Sequence, residues 1–223
     1  MKVGLVYTST TPELIALVDQ EVVAQLGNEV ERYSQQDPTI LADVRAAGFV
    51  PAAPAARLVG MYMKAVEAGC DAVLNLCSSV GEVTDSVQDL ARFIGVPIVR
   101  VDEEMCREAV RHATTITVVA TLSSTLEPTR NTLLRVAREM GKRVTLMDCL
   151  VEGAFGLDQD QFRARMAQSL ADVADKTELI LFAQGSMAYC EAYIADLYQK
   201  PVLSSPRFGA AALRAALVAK GCL

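Results

Sequence analysis

Gly4-Leu-Val-Tyr-Thr8-Ser-Thr and Thr117-Val-Val-Ala-Thr121-Leu-Ser are two apolar runs that each end in a threonine and lead into a helical pattern. Later comes a second pair, Ala72-Val-Leu-Asn-Leu-Cys77-Ser-Ser and Leu179-Ile-Leu-Phe-Ala-Gln184-Gly-Ser. The interval from Thr8 to Cys77 nearly equals that from Thr121 to Gln184. After each second run a helical stretch leads to a short proline strand, Val96-Pro97-Ile-Val and Lys200-Pro201-Val-Leu. Short apolar runs alternating with helical periodicity are the pattern of an α/β fold built on mainly parallel sheets. The repeated order predicts two similar lobes, 1–101 and 102–223, with helix 208–219 packing back on the first.

Strands are expected near 2–7, 29–33, 71–76, 97–101, 115–120, 144–149, 178–182 and 201–203, from apolar runs and flanking breakers. Helices are expected near 12–26, 55–69, 81–94, 102–113, 125–140, 159–175, 187–198 and 208–219. Three helix starts are spelled as capping boxes: Thr10-x-x-Glu13 before Pro12, Ser79-x-x-Glu82, and Ser124-x-x-Glu127. The same hydroxyls and N–H groups would also receive a carboxylate. Residues 34–57 are the least regular part and read as a long connection, a lid or a wall that selects the substrate. Two such lobes facing each other would place the carboxyl ends of their strands around one cleft, where α/β sheets bind ligands.

With 223 residues, 52% of them hydrophobic, the chain has material for a sizeable core. The 21 Lys and Arg against 27 Asp and Glu, without Trp, argue against a nucleic-acid surface, which needs cations to displace counterions. No apolar run reaches the ~20 residues of a membrane span, and Met1–Thr8 turns polar too soon for a secretion signal. A cytoplasmic protein with reduced thiols, a small-molecule ligand, no nucleic acid and no membrane is expected. The six cysteines form no CxxC pair and the single histidine is His112, so no zinc site is expected. His112 and Asp102-Glu103-Glu104 read as charges complementing the ends of one helix. Arg207 is either an exposed cation or a contact to a distal carboxylate. Cys70, Cys106, Cys149, Cys190 and Cys222 read as inert, the Cys190 position matching Val83 of the first half. Cys77, at a strand end, is either a packed thiol or a reactive one.

The Asn75-Leu-Cys77-Ser-Ser strand end, the Ala120-Thr121 turn and Ala183-Gln184-Gly-Ser-Met-Ala together resemble the aspartate/glutamate/hydantoin racemase superfamily, over nearly the whole chain. They are also similar to maleate isomerase and arylmalonate decarboxylase. The resemblance implies a cofactor-independent enzyme, a homodimer or larger homo-oligomer, acting on a small carboxylate between two pseudo-symmetric lobes. One cysteine from each half flanks the substrate. The first falls on Cys77; the second falls on Gln184, which moves no proton. Cys77, with Gln184, is expected at the catalytic positions, the helix dipole drawing the thiol pKa down from ~8.5. Thr8, Ser9, Asn75, Ser78, Ser79, Thr121, Ser124, Gly185 and Ser186 are expected to bind substrate oxygens. One thiol leaves three readings open: an isomerase, a decarboxylase of a substituted malonate or β-keto acid, and a carboxylate-binding protein without turnover.

Overall fold

The computed structural model describes residues 1–154 and 156–223. The elements in chain order are β1 (Lys2–Tyr7), α1 (Pro12–Leu26), β2 (Glu31–Gln36), α2 (Pro38–Ala47), α3 (Ala52–Glu67), β3 (Ala72–Asn75), α4 (Gly81–Ser86), α5 (Gln88–Ile94) and β4 (Ile98–Arg100). They continue with α6 (Glu103–His112), β5 (Thr115–Ala120), α7 (Ser123–Glu139), β6 (Thr145–Leu150), α8 (Gln159–Leu170), β7 (Leu179–Phe182), α9 (Glu191–Tyr198), β8 (Val202–Leu203) and α10 (Ser205–Lys220). Short 3-10 turns at Ser78–Val80 and Gly185–Cys190 follow β3 and β7. The chain divides into Met1–Val101 with Pro206–Leu223, and Asp102–Ser205.

Each unit holds a four-stranded sheet, ordered β2-β1-β3-β4 in the first and β6-β5-β7-β8 in the second, with every pairing parallel. Parallel sheets are covered on both faces, and the first shows how. Val3, Leu5 and Tyr7 alternate toward Leu14, Val18 and Val22 of α1 and Ala210, Leu213 and Leu217 of α10. Val6 and Val73 point the other way, toward Ile40, Val44, Leu58, Tyr62 and Val83. In the second unit Val119, Ile180 and Phe182 pack with Phe162 and Met166 of α8 and Ile194 of α9.

Gly4 marks the tightest approach in the first sheet. A Cβ there would lie 2.8 Å from the Ala65 Cβ of α3 and 3.3 Å from Val73 Cγ2.

The register explains the matching intervals in the sequence. Val6 pairs with Asn75, so the chain two residues on brings Thr8 level with Cys77. Val119 pairs with Phe182, so Thr121 comes level with Gln184 in the same way.

Three expectations are corrected. The 34–57 connection instead contains α2: Asp37 caps it by accepting from Thr39 N at 3.0 Å, Pro38 opens it, and Gly48 closes it at φ 77°. Ile40, Leu41 and Val44 bury its inner face, and Arg57 of α3 holds Asp43 at 2.5 Å. The first helix is capped by Thr11, whose hydroxyl accepts from Leu14 N, because Pro12 takes the first helical position. Ser79 lies within a 3-10 turn and Ser124 within α7, which begins at Ser123 after Leu122, so neither is a cap. The expected single helix over 81–94 is two, joined at Val87. No described helix is long and apolar enough to cross a membrane.

Gly4→Val should destabilise the protein by about 1–3 kcal/mol, since α3 must move to admit the side chain. Urea denaturation against the wild type reads this directly.

Candidate active site

Cys77 is the residue after the last apolar position of the β3 segment, still extended at φ −141° and ψ 113°, and the chain then tightens into the Ser78–Val80 turn. Asn75 fixes this corner by donating from Nδ2 to the Cys77 carbonyl at 3.0 Å. Leu76 N donates to Val6 O at 2.9 Å, so the ladder runs on past the strand proper.

The thiol sits deep although the residue keeps some exposure. Burial pushes its pKa up, because a thiolate loses hydration there; the Thr8 hydroxyl, the N–H groups of Ser79 and Val80 and the Ser79 hydroxyl work against it. The net direction is upward, opposite to the expected drop. The helix that follows is a single turn and a half after a 3-10 turn, and the loss of hydration outweighs what these donors return. The same burial pushes the Cys149 and Cys190 thiols to about 11, with no hydroxyl or N–H group facing either as donors face Cys77.

Three oxygens cluster with this corner: Thr8 Oγ1, Asn75 Oδ1 and Ser78 Oγ are buried and have no nitrogen or oxygen partner in the protein. Leaving such a group unpaired costs about 1–3 kcal/mol; the Thr8 hydroxyl meets the sulfur, and the oxygens of Asn75 and Ser78 are left open to a polar partner. Ser9 follows Thr8 with partial exposure, and Ser79 is buried.

Gln184 stands at the matching place in the second unit, extended at φ −123° and ψ 130° before the Gly185–Cys190 turn. Its Oε1 accepts from Thr121 N at 2.6 Å and Thr121 Oγ1 at 3.0 Å. That double contact fixes which way the amide faces, and it leaves Nε2 as the group that can donate outward. Thr121, expected to bind substrate, is therefore engaged in holding Gln184. Gly185 and Ser186 are partly exposed on the turn, and Ser124 Oγ is buried without a partner on the first turn of α7.

The other residues singled out in the sequence have structural settings. His112 Nε2 lies 3.1 Å from Glu108 on the exposed end of α6. Glu103 binds Arg107 and Arg135. Burial pushes its carboxyl up, but the two guanidinium groups bring it below the usual range. The Arg207 guanidinium lies 4.7 Å from the Phe208 ring. Among the described residues all six cysteines are free and no group of three His, Cys, Asp or Glu is placed to hold a metal ion.

One residue passed over in the sequence belongs to this corner. Arg100 closes β4 opposite Asn75, is buried to 3% exposure, and holds Asp85 of α4 at 2.5 Å. A charged residue ending the apolar Pro97-Ile-Val run was the available signal.

The model of the Asp/Glu/Hydantoin racemase family matches residues 3–213. Allantoin racemase from Klebsiella pneumoniae superposes with a TM-score of 0.62 at 17% identity, over 99% of this chain and 89% of that one. A glutamate racemase isoform from Bacillus anthracis gives 0.70 at 15% identity, over 99% and 83%. Unliganded arylmalonate decarboxylase gives 0.56 at 13% identity, over 96% and 92%. No curated protein matches the sequence. At such identities the structural likenesses speak to the fold, and the match along nearly the whole sequence speaks to descent: the chain belongs to the Asp/Glu/Hydantoin racemase family.

Proposed function

We infer that the protein is a cofactor-independent isomerase of a small carboxylate, with Cys77 moving the proton on the carbon next to that carboxylate. The observation that carries this reading is the surrounding of Cys77: donors from Thr8, Ser79 and Val80 turned to the sulfur, beside the unpartnered oxygens of Asn75 and Ser78. Family membership supports an isomerase, and relatives of the same fold are racemases of glutamate and of allantoin.

The chemistry follows from the charges. The thiolate takes the proton and becomes a thiol while the electron pair of the C–H bond moves onto the carboxylate. Hydroxyl and N–H groups of Thr8, Ser9, Ser78 and Ser79 receive that charge, which lowers the barrier more in the transition state than in the ground state. Return from the thiol to the same face only restores the starting acid. Inversion is completed when a water molecule gives a proton to the opposite face of the carbon and the thiol releases its own to the hydroxide left behind, since the Gln184 amide moves none. In the second unit Gln184 keeps Nε2 as a hydrogen-bond donor, and the Thr121 contacts hold that donor facing outward. Gly185 and Ser186 on the turn after β7 and Ser124 on the first turn of α7 are further polar groups of the second unit.

The amide at Gln184 also favours a second reading. A decarboxylase needs one acid only: carbon dioxide leaves with the carboxyl carbon, and the carbanion takes its proton from the Cys77 thiol. The protein then acts on a substituted malonate or β-keto acid.

Incubating the wild type with candidate amino acids, hydantoins and 2-substituted malonates in D₂O separates these readings. Deuterium entering the α-carbon of an unchanged acid supports the isomerase, and carbon dioxide release supports the lyase. Neither one, with ligand still binding, leaves a binding protein and overturns both. Cys77→Ala should lower the observed rate by about 10²–10⁴-fold.

Because burial holds the thiol pKa up, the fraction of thiolate grows with pH across the neutral range. Isomerase kcat/KM should rise about tenfold per pH unit toward a plateau above the ordinary thiol value, whereas decarboxylation, which uses the thiol, should fall there. Gln184→Ala should leave the inflection where it is, since an amide does not titrate. Steady-state kinetics from about pH 6 to pH 10 check both outcomes.

A further inference from the structure

The side chain of Arg100 lies flat against the backbone that opens α4. A Cβ on Gly81 would meet Arg100 Nη2 at 2.3 Å, Cζ at 2.6 Å and Nε at 2.9 Å, so only a glycine admits the guanidinium there. Gly81 is bound in turn to the thiol-bearing corner, its N–H donating to Ser78 O. Asn75 and Arg100 pair across the sheet, which roots the cation beside the strand that carries Cys77. Tyr62 of α3, buried behind the turn, shares a hydrogen bond with Thr84 Oγ1 of α4 at 2.9 Å, and Cys77, Arg100 and Asp85 lie close enough to act on its hydroxyl.

The second unit makes the same tie with a different group. Leu203 pairs with Leu181, so Ser204 stands level with Phe182 as Arg100 stands level with Asn75. Ser204 Oγ bonds the Glu191 carboxylate of α9, the helix after the Gln184 turn. A hydroxyl is therefore enough to tie the last strand to that helix. In the half that carries a thiol the last strand supplies a buried cation for the purpose, and in the half that carries an amide it supplies a hydroxyl.

We propose that Arg100 is a positioning residue for Cys77: stacked under Gly81 and held by Asp85, its guanidinium fixes the thiol-bearing turn and supplies the positive charge that a negatively charged sulfur requires. This rests on Cys77 being the reacting group. Thr8 at the end of β1 and Ser79 and Val80 on the turn face the sulfur directly. Asp85 on α4 and Arg100 on β4 stand behind that turn, joined to each other and to Gly81, and Tyr62 on α3 lies near all of them. By the sign of their charges Arg100 would favour a thiolate on that turn and Asp85 would oppose it.

The test uses the full chain without substrate. Iodoacetamide labelling of Cys77 is followed by mass spectrometry of its peptide from about pH 6 to pH 10, in the wild type and in Arg100→Gln, Arg100→Lys, Asp85→Asn and Ser204→Ala, with near-UV circular dichroism as the check on folding. Arg100→Gln should move the labelling midpoint up by about one pH unit, Arg100→Lys should restore most of it, and Asp85→Asn should move it down. Ser204→Ala should match the wild type. A loosened turn would shift Arg100→Gln and Asp85→Asn in the same direction, and that result overturns the proposal, as does an unchanged profile in Arg100→Gln or an equal shift in Ser204→Ala. If Arg100→Gln does not fold, Asp85→Asn decides: a midpoint that stays or rises is fatal. Because labelling needs no substrate, a wild type without turnover would sink the isomerase reading and leave this profile to be read.

Discussion

Everything in this protein hangs on a parallel strand pairing made twice. β1 beside β3 and β5 beside β7 are the central pairs of their sheets, and parallel pairing sends all strand ends out on one edge. The backbone must leave the sheet there, so the residues at that edge are the ones whose side chains and N–H groups escape the ladder. Thr8 with Cys77, and Thr121 with Gln184, are the products of that register.

At equivalent places the two halves have taken different chemistry. In the first, donors face a sulfur whose hydration has been removed, and the oxygens of Asn75 and Ser78 lack partners. In the second, the carboxamide is satisfied at its oxygen by Thr121 and keeps only donors to offer. One site can store and release a proton, and the other can only orient. Behind each stands a tie from the last strand to the helix after the turn, made by a guanidinium in the first and by a hydroxyl in the second.

Most strands were legible because they are short apolar runs between breakers, as a parallel sheet covered on both faces requires; β2, the polar edge strand Glu31–Gln36, runs three residues past the expected 29–33. The helix α2 was hidden because Pro38, Gly48 and Pro51 read as irregular chain, when Asp37-Pro38 was in fact a cap with its first helical residue and Gly48 a terminator. The capping spellings misled for a related reason. A Ser and a Glu three apart satisfy the motif anywhere, and only the path of the chain decides whether the Ser stands outside the helix. Thr11, next to Pro12, was set by proline's fixed geometry, and Ser79 and Ser124 were not.

The sequence by itself determined the α/β class, the doubling, and the placing of a thiol at one strand end and an amide at its counterpart. Those features live in local pattern and in spacing, and parallel register converts spacing into adjacency. Tertiary structure alone decided the state of the groups. Whether Cys77 ionises depends on how much water the packing removes and on which hydroxyls and N–H groups the turn aims at the sulfur. Arg100 became part of the corner only because Gly81, remote in sequence, left room for its guanidinium. Electrostatics inside a fold is a sum over neighbours in space, and the chain order does not carry it.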